Sequence, residues 1–312
     1  MGVRYAWRMQ SSSHFSAPDI PVGAPATTWA VRDVMALMES WYPAATAQSW
    51  DRVGLIVGDP DAPVRSILLA LDPTAAIADQ AVAGPCSDGN SYDMVITHHP
   101  LLLRGASFLP VTDPKGRVVT TLIRSGIALF NAHTNADVAC DGVATALADL
   151  IGLRDTVPLE PCGTDTEGRE IGLGRVGSVA ETTLGSFADH VASVLPAGPS
   201  GLFVGGDEAM PVRRVAVLGG AGDSALESAR AAGVDVYLTA DLRHHPASEH
   251  LEGGAPALLC GSHWATESPW LPVLARKLRE AASGADVELR VEVSTIVTEP
   301  WTSHRVTQGE LA

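Results

Sequence analysis

The sequence predicts an α/β protein of two lobes, and three observations carry that prediction. Strand-like and helix-like stretches alternate from about residue 64 to 150, the pattern of a mostly parallel sheet covered by helices. Between about 153 and 212 the rhythm gives way to short β-like stretches with many Gly and Pro, as a second lobe would read. Third, four apolar runs end in His, Asp or Glu: 93–97 into His98-His99-Pro100, 127–132 into His133 and Asp137, 234–239 into Asp241, His244 and His245, and 257–260 into His263 and Glu267. Open α/β sheets place their ligands at such carboxyl ends of strands.

Taken in order, residues 1 to about 27 are rich in Ser, Pro, Ala and Gly without periodicity and read as a disordered leader. Thr27-Thr28 then cap a helix over 29–41, with Val31, Val34, Met35 and Met38 on one face and Pro43 as its stop. Gly54 interrupts a strand-like run, as at a bulge or a backbone that something approaches closely. A strand over 64–71 leads into Asp72-Pro73-Thr74, which open an Ala-rich helix to about 83. A polar turn at 84–90 precedes the histidine strand; a helix between 116 and 126 and the strand to His133 follow. Asp141-Gly142-Val143 begin a helix to Leu150, closed by Gly152.

In the second region, β-like stretches at 170–179 and 201–204 flank a helix at 184–195, and 215–218 with a helix over 224–232 restores the βα rhythm. Gly219-Gly220-Ala221-Gly222 between them lacks the spacing of a dinucleotide loop and the Lys of a Walker loop, so it reads as a tight βα turn. Ser268-Pro269 look like the cap and first residue of a helix over 270–281, which leaves His263 and Glu267 on the loop before it. The lobes are accordingly 28–152 with about 255–312, and 153–254.

Composition excludes several classes of partner. With 36 acidic residues against 21 Lys and Arg, a net charge of −15 repels a phosphate backbone, and nucleic acid is disfavoured. No stretch approaches the roughly 18 consecutive apolar residues of a membrane span. Arg4 and Arg8 are not followed by the apolar core of a secretory signal, and Ala6 stands where an N-myristoylation motif needs Ser or Thr. Cys86, Cys140, Cys162 and Cys260 are scattered without a CxxC pair, against a disulfide framework and a thiolate zinc site and in keeping with the cytoplasm.

The strand-end residues suggest metal chemistry, with alternatives at each position. Adjacent histidines in a strand face opposite sides, so His98 and His99 either serve two different ions or divide into one core ring and one exposed ring. Asp137 is a metal ligand or a helix cap, although Asp141 fits the cap better; His133 is a ligand, the orienting partner of one, or a proton-transfer group. Glu267 alone reads as a solvated charge before a helix's positive end. Together, imidazole and carboxylate without thiolate suit zinc, manganese, iron or cobalt, and two such ions roughly 3.5–4 Å apart form a hydrolytic clamp. His244-His245 read as a substrate-side rim, Glu249 and His250 as a solvated helix start, and His14, His190 and His304 as surface residues.

Five ordered motifs resemble the GTP cyclohydrolase 1 type 2 family, also called NIF-three-like proteins. They are Trp50-Asp51-Arg52-Val53-Gly54-Leu55 with Val57-Gly58-Asp59-Pro60; Ile96-Thr97-His98-His99-Pro100-Leu101; Ala132-His133-Thr134-Asn135-Ala136-Asp137; Thr239-Ala240-Asp241 with His244-His245; and Gly261-Ser262-His263-Trp264-Ala265-Thr266-Glu267. The resemblance implies a two-lobed fold of mixed sheets flanked by helices, with a dinuclear metal site in the cleft. It implies two divalent ions per chain on His98, His99, Asp137, His263 and Glu267, with Glu267 as the bridge and His133 and His245 close by for proton transfer. It also implies a ring-shaped homohexamer. Ala136, Ala240 and Trp264 depart from the family's usual leucine, glycine and tyrosine; none removes a ligand, while Trp264 bears on substrate choice.

Two functions follow as expectations. One is a metal-dependent hydrolase acting on a small molecule such as GTP, opened at C8, or on another nucleotide or phosphoester. The other is a non-enzymatic, metal-binding oligomeric scaffold or regulatory interaction protein. Open coordination positions favour the first.

Overall fold

The computed structural model describes residues 28–85 and 89–307; the leader expected over 1–27 lies outside them. The described chain forms two mixed sheets with helices on their faces, and a separate two-stranded sheet of Trp29–Ala30 and Pro63–Val64. The first sheet runs Arg290–Val293, Ser66–Ala70, Met94–Thr97, Ala128–Asn131, Gly54–Val57. Its first three pairings are parallel and the last is antiparallel. Ser66–Ala70 is buried throughout because helices cover both faces, which is why its residues read as one apolar run without alternation. Ile67 and Leu69 pack with Val34, Met38, Trp270 and Leu274 of helices Val31–Trp41 and Trp270–Gly284. Leu68 and Ala70 face the other way, onto Ile77, Ala81, Val118 and Leu122 of helices Ala75–Ala83 and Pro114–Arg124.

The second sheet runs Arg154–Thr164, Glu170–Thr183, Pro211–Ala221, Val236–Ala240, Ala257–Gly261, Phe203–Gly205. Parallel pairing holds from Pro211–Ala221 to Ala257–Gly261, and antiparallel strands extend it on both sides. The Ala257–Gly261 strand belongs to this sheet, so the chain returns to the first lobe only beyond Gly261 and not at about 255. Helix Val143–Leu150 is the seam: Val143 and Ala146 enter the first core, Leu147 and Ala148 the second.

Local differences from the sequence reading have local causes. The first helix starts at Val31 because Trp29–Ala30 pair with Pro63–Val64; its cap is Ala30, whose N–H donates to Asp33 Oδ2 at 2.8 Å, and not Thr28, while Thr27 lies outside the described residues. Gly142, not Asp141, precedes Val143–Leu150, and the Asp141 carboxylate pairs with Lys277 at 3.3 Å instead. The strand Arg154–Thr164 escapes notice because Pro158 and Pro161 interrupt it, which an edge strand tolerates. Gly54, at φ 114, adjoins a register shift between Leu55 and Val57, so the bulge is the correct alternative at that position. Among the described residues no helix is long and apolar enough to cross a membrane.

Candidate metal centre

Parallel strands of both sheets end at one cleft. Thr97 and Asn131 end first-sheet strands just before His98-His99 and His133; Ala240 and Gly261 end second-sheet strands just before Asp241 and His263. The cleft between them has a volume of about 740 Å³, and its floor includes His99, His133, Asp137, His263 and Glu267.

His98 is fully buried. Its Nδ1 donates a hydrogen bond to the carbonyl of Ala132 at 2.9 Å, which turns Nε2 toward the cleft. Nε2 faces Asp137 Oδ1 at 3.6 Å and Glu267 Oε1 at 3.7 Å, beyond hydrogen-bond reach, and is a buried atom without a partner. His99 presents Nδ1 to Asp72 Oδ1 at 2.7 Å, and Thr298 donates its hydroxyl to the other oxygen of Asp72. On the far wall, His263 presents Nδ1 to Asp241 Oδ2 at 2.7 Å. His133 presents Nδ1 to both oxygens of Asp51 at 3.0 Å. Three imidazoles are therefore each backed by a carboxylate and the fourth by a carbonyl, the arrangement that fixes ring orientation in metal-ligating histidines.

The inner nitrogens converge. His99 Nε2 and His263 Nε2 are 3.2 Å apart, and ligand atoms of His98, His99 and His133 lie within 4.8 Å of one another, as do those of His99, His263 and Glu267. Glu267 sits among them, 4% exposed. Its Oε1 is 3.1 Å from His263 Nε2, while Oε2 is 2.9 Å from His99 Nε2 without the alignment of a hydrogen bond. Two carboxylate oxygens facing different imidazoles are disposed as a bridging ligand would be. These groups could hold metal ions.

Electrostatics follow from this crowding. Burial opposes the charge of Glu267, yet His98, His263 and His99 hold its carboxyl well below the usual range. Burial likewise opposes a charged His99, but Asp72 and Glu267 hold it up at about 10; Glu267 and Asp241 hold His263 at about 9 against the same opposition. Burial pushes Asp137 up to about 6, with Glu267 adding repulsion and His98 offsetting part of it. Protonated imidazoles thus balance the charge of the buried carboxylate.

His263 and Glu267 do not lie on a loop. They open and close a helix of their own, His263–Glu267, because the Ser262 hydroxyl caps it by accepting from Ala265 N at 3.1 Å. The four-residue spacing then brings both side chains to one face. Gly220, at φ 70, makes room: a Cβ there would fall 2.1 Å from Glu267 Oε1 and 3.0 Å from His263 Nε2. The glycine run is thus a close approach to the site as well as a turn.

The structure brings His98, His99, His133, Asp137, His263 and Glu267 together. His245 stands apart, exposed in the first turn of helix His244–Glu252 with its ring against His244 at 5.2 Å. No hydrogen bond, ion pair or ring contact among the described residues joins it to the cluster, so within one chain it does not share the place expected for it beside His133. His250 is buried rather than solvated, bonded to Pro256 O and Arg230. Asp51, Asp72 and Asp241 were missed as orienting partners; the one signal in the sequence is that Asp72 and Asp241, like the ligands, directly follow apolar strands.

Comparison with known proteins bears on this geometry. The Duf34/NIF3 (NGG1p interacting factor 3) family pattern matches residues 29–300. A Streptomyces coelicolor protein named GTP cyclohydrolase 1 type 2 homolog is 47% identical over 273 residues, covering 87% of this chain and 93% of its own. A Clostridium acetobutylicum protein of the same name is 30% identical over 272 residues, with 87% and 97% covered. The structure of a Staphylococcus aureus hypothetical protein is similar at TM-score 0.79 and 27% identity, covering 88% of this chain and 99% of that one. A Bacillus cereus protein related to NIF3 shares the fold at TM-score 0.80 and 24% identity, with the same coverage.

Proposed function

The chain belongs to the Duf34/NIF3 family, and from that premise we propose that its cleft holds two divalent metal ions and hydrolyses a small-molecule substrate. The observation that carries the reading is a pair of buried atoms without hydrogen-bond partners, His98 Nε2 and Glu267 Oε2, inside a ring of converging imidazoles. Leaving a buried imidazole nitrogen such as His98 Nε2 without a partner costs roughly 1–3 kcal/mol, and a cation would satisfy it and Glu267 Oε2 together. His98, His99, Asp137, His263 and Glu267 would hold zinc, manganese, iron or cobalt, with Glu267 as the bridge.

Ions held there would supply Lewis acidity that activates water and stabilises a developing oxyanion. The chain's residues do the rest. Asp72, Asp241 and the Ala132 carbonyl hold three rings with Nε2 turned inward. Asp51 holds His133 at Nδ1, leaving Nε2 as the atom that accepts or returns a proton beside the reacting group. The reading gives His245 no part. GTP, opened at C8, is the first substrate to test because of the relatives' name, with other nucleotides and phosphoesters next. The chain would work as a homohexamer in the cytoplasm, where Cys140, Cys162 and Cys260 stay unpaired.

A second reading, a metal-binding oligomeric scaffold without catalysis, is favoured by large apolar side chains on the surface, among them Phe108, Phe203 and Trp301. One experiment separates the outcomes: elemental mass spectrometry on protein purified without a metal-affinity column, beside His98→Ala and Glu267→Ala. About two ions per chain, falling in both variants, is expected. No stoichiometric metal after incubation with zinc and manganese would sink the proposal, and metal without turnover of GTP, other nucleotides or phosphoesters favours the scaffold.

A further inference from the structure

Among the residues of the cleft outside the proposed metal-binding set, Trp50 and Lys115 stand out. Trp50 lines it beside the histidine cluster, yet 54% of its surface is open to water. Lys115 lines it too, and its ammonium forms no ion pair among the described residues.

The exposed tryptophan sits on a segment tied down by hydrogen bonds. Its neighbour Asp51 accepts from Thr134 N at 3.0 Å, from Thr134 Oγ1 at 2.6 Å and from His133 Nδ1. Gln48 N donates to the same Thr134 hydroxyl at 2.9 Å, and Asp51 N closes a turn onto Gln48 O. The Trp50 ring meets His133 edge to face, with centroids 6.0 Å apart. A large apolar ring left wet on a clamped segment, next to reactive groups, is pre-organised for a partner that covers it. Leu103, Val138, Leu173 and Leu218 give the cavity apolar walls, and its volume suits a small molecule.

We infer that Trp50 is the stacking platform for a flat heteroaromatic ring of the ligand, and Lys115 the anchor for its anionic group. The ligand class is a small heteroaromatic anion, and a ring-free phosphoester would leave the tryptophan face wet. The chain's net charge of −15 makes an unpaired cation in this cleft a local exception, able to select an anion only at short range. The inference rests on the reading of the cleft as a metal-bearing substrate site.

The test is calorimetric titration of zinc-loaded or manganese-loaded protein with adenosine 5′-monophosphate and with ribose 5-phosphate, which carries the same phosphate and sugar with an anomeric hydroxyl in place of the base. Metal content and sedimentation are recorded for each variant. Wild type should bind the nucleotide at least about tenfold more tightly; Trp50→Ala should remove about ten- to hundredfold of nucleotide affinity while sparing ribose 5-phosphate. Trp50→Phe should retain most of the preference, and Lys115→Gln should weaken both ligands by a common factor. Equal binding of the two ligands by wild type, or equal losses in Trp50→Ala, overturns the platform. A change of oligomeric mass in Trp50→Ala would assign the ring to a subunit contact and overturn it as well. No turnover is read, so a failed hydrolase screen leaves the binding result standing; a hydrolase active on ring-free esters and indifferent to Trp50→Ala overturns the platform alone.

Discussion

On the wall of the cleft built by the first sheet, His98 is sealed from water and bonded to a carbonyl, and His99 is held by Asp72, itself gripped by Thr298. On the opposite wall, His263 is held by Asp241, whose side chain is 54% exposed and whose backbone takes φ 52, a conformation that non-glycine residues adopt at a cost. The second wall also depends on a glycine at 220 for room. One half of the site is thus pre-formed by core packing, and the other is set by a strained turn and a gap. The lesson is that the same device, a carboxylate behind an imidazole, is worth different amounts according to the solvent around it.

The sharpest way to break this comparison is Gly220→Ala. The added methyl meets Glu267 and His263 at positive φ, so metal affinity should fall at least about hundredfold in chelator competition while the first core stays folded. Unchanged affinity would mean that the second wall yields and that the gap sets nothing. Next in size is a matched pair. Asp72→Asn should lower metal affinity about ten- to hundredfold, and Asp241→Asn distinctly less, because water already screens the exposed carboxylate. Equal losses in both would erase the difference between the walls.

The smallest effect concerns stability and separates the lobes by pH. Burial lowers the affinity of His250 for a proton below its ordinary value of 6.5, and Arg230 adds repulsion, although the Pro256 carbonyl works the other way. The folded lobe then binds fewer protons than the unfolded chain, so stability rises with pH in this range. The contribution is complete above about 6.5 and is lost as pH falls through that value towards the lower one of the folded state. Urea unfolding at pH 8 and pH 5 should show a smaller difference for His250→Gln than for wild type; identical differences would put the pH dependence elsewhere.

Much of the site was legible because it is local. An apolar strand followed at once by His98-His99, His133 or His263 is a pattern within a few residues, and the sheet delivers it where such patterns end. What holds those rings is not local: Asp51 lies 82 residues from His133, Asp72 27 from His99, and Asp241 22 from His263. Only the pairing of strands brings them together. The short helix His263–Glu267 was hidden for another reason, since Ser268-Pro269 announce the longer helix after it and mask the cap that Ser262 provides. The long strand Arg154–Thr164 was obscured by prolines that an edge permits. His245 was expected beside His133 from the family resemblance alone, and within one chain the helix His244–Glu252 holds it against His244 instead.

The segment that carries His263 and Glu267 leaves a strand of the second sheet and enters helix Trp270–Gly284, whose Trp270, Leu274 and Leu278 lie in the core of the first. It is anchored at both ends in different bodies, so neither lobe can shift without dragging the two side chains along. A cation gripped from both walls would then act as a rivet, and by reciprocity whatever seats the lobes more firmly must raise the grip on the cation. Stripping it with a chelator would register in the shared core behind the cleft, as faster amide exchange along Val143–Leu150, the helix both cores share.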